Sequence, residues 1–111
     1  MIPVEPDNAA EGAGVLVLTE REVDGGWIFD VSVRCGTPLV TTRHEVRLSW
    51  VDYEYWSHGV AAPERVVKAV VELVLDQRPD VALPAKFDSS TARRWVRDAD
   101  QRVREGVGGI G

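Results

Sequence analysis

The chain has 111 residues and a mass of 12.3 kDa, which is one domain's worth and leaves no room for a second independent core. Hydrophobic residues make up 44% and charged residues 28%, the balance of a globular protein and not of a disordered one. The net charge of −5 argues against a dedicated DNA coat or a polybasic membrane binder, while a local basic stripe stays open.

Cys35 is the single cysteine, so no internal disulfide can form, as expected of a reducing compartment. The stretch Met1-Ile2-Pro3-Val4-Glu5-Pro6-Asp7 lacks the basic start and apolar run of a signal peptide. No apolar run approaches the ~18 residues that span a bilayer. A cytoplasmic location is the resulting expectation. Only Lys68 and Lys86 among the 13 basic residues are lysines, which together with frequent valine matches the codon usage of a GC-rich bacterial genome.

Residues 1–12 carry two prolines and three acidic residues with little periodicity, and read as a loose arm. Val15-Leu16-Val17-Leu18, extended to Val23, reads as the first strand. Asp24-Gly25-Gly26 supplies a hairpin turn. The second strand, Trp27 to Cys35, places Trp27, Phe29, Val31, Val33 and Cys35 on one face, the alternation of a sheet with one buried side. A third strand from about Val40 to Val51 places Thr42, His44, Val46, Leu48 and Trp50 together. The two apolar faces coincide only if paired residue numbers sum to an odd value. A four-residue loop, Gly36 to Leu39, then sets Val31 opposite His44, and a two-residue loop sets Phe29 there. Either register turns His44 toward the core.

Asp52-Tyr53-Glu54-Tyr55-Trp56-Ser57-His58-Gly59 follows, with Asp52 placed to cap one short helical turn and Gly59 to end it. Pro63-Glu64-Arg65 opens a helix whose stripe is Val66, Val67, Val70, Val71 and Val74. Valine favours strands, but the period and the length of about 15 residues decide for a helix. Arg78 and Pro79 close it. Leu83 to Phe87 reads as a loop. Asp88-Ser89-Ser90-Thr91 offers caps for a last helix running to about Arg104, with Ala92, Trp95, Val96, Ala99 and Val103 as its stripe. Residues 106–111 hold four glycines and read as a flexible tail. The expectation is one α+β domain over residues 13–105: a three-stranded antiparallel meander with two helices packed on one face.

Several segments come in a characteristic order: strand His44-Glu45-Val46-Arg47-Leu48, turn Asp52 to Trp56 with Gly59, helix Pro63-Glu64-Arg65-Val66-Val67, and Leu83-Pro84-Ala85-Lys86-Phe87-Asp88. Over about residues 44–90 the chain resembles a group of small bacterial proteins of unknown function. The resemblance implies a bacterial cytoplasmic α+β protein and carries no activity. The chain departs from the group at Ala62, where Ser or Thr is common, and in its long final helix.

Residues able to do chemistry are few. His44 is weighed as an acid/base group against a core-edge histidine with both nitrogens bonded, and the second reading is favoured. Cys35, His44 and His58 do not have zinc-ligand spacing, so no metal is expected. In the favoured register Cys35 and His44 stand too far apart to act as thiol and base. Gly25-Gly26 and Gly106-Val107-Gly108-Gly109 lack the context of a phosphate loop, so no cofactor is expected. Arg93, Arg94, Arg97, Arg102 and Arg104 face Asp88, Asp98, Asp100 and Glu105 over residues 88–105, five charges against four. That reads more readily as a solvated face than as a phosphate grip. Tyr53, Tyr55, Trp56 and His58 crowd into six residues and cannot all point one way, so at least one of Tyr55 and Trp56 should be exposed. Exposed aromatics beside a loop suit protein recognition.

A non-catalytic protein-interaction or regulatory module, with Tyr53, Tyr55, Trp56 and His58 as the contact, is therefore favoured. The first alternative is nucleic-acid binding through Arg93, Arg94, Arg97 and Arg104. The second is a small enzyme using His44 or His58. An open sheet edge also permits a homodimer.

Overall fold

A computed structural model describes residues 14–108. It is an α+β fold in which four strands, in the order β1-β2-β3-β4, form one mixed sheet. The strands are β1 (Gly14–Val23), β2 (Gly26–Cys35), β3 (Val40–Ser49) and β4 (Lys86–Asp88). Helices α1 (Trp50–Ser57) and α2 (Pro63–Gln77) lie between β3 and β4. A 3₁₀ turn (Ser89–Thr91), α3 (Ala92–Trp95) and α4 (Ala99–Gly108) follow. No described helix is long and apolar enough to cross a membrane.

The meander forms as the alternation requires. Val31 pairs with His44 and Cys35 with Val40, the register of the four-residue loop. Phe29, Val31, Val33, Val46 and Leu48 are buried on one face, and α2 covers them with Val66, Val67, Val70, Val71 and Val74. At the first hairpin Gly25 takes a left-handed φ of 81°, and a Cβ on Gly26 would sit 2.1 Å from the Leu48 carbonyl oxygen. No side chain fits where β2 starts against the end of β3.

Among the described residues the expected three strands and two helices are corrected to four strands and four helices. Lys86 and Phe87, expected in a loop, form β4 with Asp88, which also caps the next turn as expected; β4 runs parallel to β3, with Phe87 beside Val46, after the crossover that parallel pairing demands. The third strand stops at Ser49, so Trp50 is not a core-face strand residue but the first residue of α1. The single last helix is broken. Val96 is extended and Asp98 left-handed, with φ of 58°. The guanidinium of Arg78 takes the carbonyl of Trp95 at 2.9 Å, which satisfies a backbone acceptor at the break. Residues 106–108, expected in the tail, are helical, because Val107 continues the stripe of Ala99 and Val103 and is 3% exposed. The expected arm at 1–12 and the rest of the expected tail lie outside the described residues.

Candidate functional site

The site is built on α1, which begins where β3 ends. Ser49 caps the helix by accepting a hydrogen bond from the Asp52 N–H at 3.1 Å. The Trp50 N–H donates to the Gly25 carbonyl at 2.9 Å, so the first turn is tied to the β1–β2 hairpin. At the other end His58 is left-handed, with φ of 52°, and its N–H returns to the Glu54 carbonyl at 2.8 Å. The Ser57 hydroxyl donates to the Tyr53 carbonyl at 2.7 Å and accepts from the Gly59 N–H at 3.0 Å. Two turns of helix are thus fixed at both ends.

The inner side of α1 is fully engaged. Trp56 is 1% exposed, and its indole N–H donates to the Asp100 carboxylate at 2.8 Å. Arg93 holds Asp100 at 2.7 Å and Asp52 at 3.0 Å, and its guanidinium lies 4.8 Å from the Trp56 ring centre, a cation–π distance. Burial works against the charge of Asp100. The Trp56 and Arg93 hydrogen bonds and the positive charges of Arg93 and Arg104 outweigh it and hold the carboxyl below its ordinary value. Burial likewise opposes the charge of Arg93, and Asp52 and Asp100 more than restore it. The Tyr53 hydroxyl donates to the Ala61 carbonyl at 2.6 Å, and its ring meets Trp27 edge-on at 5.2 Å.

The outer side carries apolar side chains in water. Trp50 is 52% exposed, Val51 77% and Tyr55 44%. With Glu54 they line a shallow concavity. Trp27 backs Trp50 at 6.1 Å, and Arg104 stacks over Tyr55 at 4.4 Å. These groups come from β2, α1 and α4, so the whole fold presents the face.

The four residues singled out on the aromatic turn therefore separate. Tyr55 and His58 are exposed, Tyr53 is half-buried and Trp56 is buried. Trp50 and Val51 complete the exposed face and were missed, because Trp50 continues the strand alternation of Val46 and Leu48. Ser49 three residues before Asp52 was the available signal, since residues 50, 51, 54 and 55 share a helix face once the cap is placed there.

The arginine stripe separates as well. Arg93 and Arg104 both turn to α1, and Arg93 is ion-paired twice. Arg94 and Arg97 are exposed. The break at Val96 to Asp98 removes the continuous helical spacing that would align the four.

His44 is 7% exposed. Its Nδ1–H donates to the Pro84 carbonyl at 2.7 Å, and its Nε2 meets the Thr42 hydroxyl at 2.7 Å. Nδ1 thus ties β3 to the 83–85 segment, while Nε2 is held within β3 itself. Among the described residues no carboxylate or thiol hydrogen-bonds either histidine, and no group of three metal-ligating side chains comes together. Cys35 lies at the far end of β2 from α1, in a groove of about 530 Å³ shared with Val15, Glu72, Leu75 and Asp76. No family model, curated protein or solved structure matches the chain.

Proposed function

We propose that this chain is a small protein-interaction or regulatory module whose contact surface is the outer face of α1: Trp50, Val51, Glu54 and Tyr55. One observation carries the reading. Three large apolar side chains stand in water on one face of a helix whose ends and inner side are fixed by hydrogen bonds, stacking and ion pairs. Pre-ordered aromatic anchors lose little freedom on binding. The bonded nitrogens of His44 and the neutralised Arg93 give the catalytic and nucleic-acid readings less support. Kinship with the small bacterial proteins of unknown function belongs to the same proposal and rests on the order of sequence segments over about residues 44–90.

The test is a photo-cross-linking amino acid placed at Val51 in the full chain and activated inside bacterial cells, with exposed Glu64 as the control position. The expected result is a discrete protein adduct from position 51, lost when Trp50→Ser is added. Equal, diffuse yields from positions 51 and 64 would overturn the reading.

A further inference from the structure

The charges around the α1 face say more about what fits it. At 100° per residue, positions 50, 54, 51 and 55 fall in that order across about 140° of the helix surface. Glu54 thus lies in the half of the face toward Trp50, and its carboxylate has no ion pair or hydrogen bond among the described residues. Arg104 borders the other half, stacked on Tyr55. It too has no ion pair among the described residues, and its Nε is buried without a hydrogen-bond partner. Across the face the order is Trp50, Glu54, Val51, Tyr55 and then Arg104, so an unpaired carboxylate stands among the apolar side chains of one half and a guanidinium without an ion pair borders the other.

A basic partner would satisfy Glu54 and repel Arg104, and an acidic partner would do the reverse. A second copy of this chain satisfies both. A two-fold axis running along α1 exchanges the two halves, which sets Glu54 of one copy against Arg104 of the other, twice, with Val51 and Tyr55 between them. We propose that the outer face of α1 binds its own copy and makes a two-fold dimer. This rests on the reading of that face as a contact surface and names the partner. The face is a few side chains on a two-turn helix, against roughly 20–30 residues a side in a standard interface, so the dimer is weak and concentration-dependent.

Analytical ultracentrifugation of the full chain across a wide concentration range tests it, with circular dichroism to verify folding of each variant. The expected result is growth toward twice the 12.3 kDa chain mass as concentration rises, and a monomer throughout for Val51→Glu. Glu54→Arg and Arg104→Glu should each weaken the dimer about tenfold, as two exposed ion pairs are lost together. The double variant E54R/R104E should recover most of that loss. Glu54 is exposed, so Glu54→Arg remains informative if Arg104→Glu fails to fold. Any of three results overturns the proposal: a monomer at every concentration, a dimer indifferent to Val51→Glu, or a dimer that dissociates instead with Leu16→Lys on the β1 edge. If the chain is monomeric while position 51 still cross-links a different protein, self-pairing fails and the recognition reading stands. If position 51 cross-links nothing as well, both fall.

Discussion

The two sides of α1 belong to one eight-residue helix and are finished in opposite ways. On the inner side Trp56, Asp52, Asp100 and Arg93 hold one another in a network of indole, carboxylate and guanidinium at 2.7–3.0 Å. On the outer side Trp50, Val51 and Tyr55 are as apolar as Trp56 and stand in water, beside a carboxylate with no partner among the described residues. The difference is not one of composition, since each side has its aromatics and its acid. It lies in what α4 and the Ala92–Trp95 helix bring to each side: hydrogen bonds and ion pairs on the inner one, and on the outer one only guanidinium groups over the Tyr55 ring, which stays 44% exposed. Aromatic residues in a turn therefore do not by themselves mark a contact surface. The large apolar residues that the fold leaves largely exposed do.

Substitutions on the two sides should separate sharply. The largest effect is expected from Trp56→Ala, which empties a fully buried site and leaves Asp100 without its indole donor. Urea unfolding should show a loss of about 3–5 kcal/mol, and a loss below about 1 kcal/mol would break the comparison. Asp100→Asn keeps the shape but removes the charge that Arg93 and Trp56 face. The pair is about a third exposed and partly screened, so a loss of about 1 kcal/mol at neutral pH is expected.

The same residue predicts a pH signature. Its carboxyl is held below the ordinary value in the folded chain. Its contribution is therefore complete above the unfolded aspartate value of about 3.9 and is lost as pH falls through the lower folded value. Stability measured from pH 6 down to 2 should fall less steeply in Asp100→Asn than in the unaltered chain. Parallel curves would remove the network from the account.

An effect of similar size and opposite sign should come from the end of the loop that follows α1. Ala62 sits at the N-cap of α2 with extended backbone and no side-chain cap. Ala62→Ser should add about 1 kcal/mol of stability, read from the urea midpoint.

What could be read in the sequence follows the range of the interactions. The β2–β3 register rests on parity between neighbouring strands, and α2 on a valine period inside one segment, so both were legible. The start of α1 was obscured because strand alternation runs on from Leu48 to Trp50 while Ser49 has already capped a helix. The break before α4 was hidden because Val96, Ala99, Val103 and Val107 keep helical spacing across it, and only the left-handed Asp98 and the reach of Arg78 mark it. β4 is three residues long, and its partner lies 41 residues earlier, at Val46 beside Phe87. The site shows the same limit. Near-cancellation of charge over residues 88–105 was readable as a sum. That Arg93 spends its charge partly on Asp52, again 41 residues away, was not.

The claim that the outer side of α1 serves a partner and not the fold is tested most directly by urea unfolding of Val51→Glu at low micromolar concentration, where self-association contributes little. The account predicts an unfolding free energy within about 0.5 kcal/mol of the unaltered chain. A loss of more than about 2 kcal/mol, the scale of a buried apolar side chain, would mean that Val51 belongs to the core and that no free face exists there.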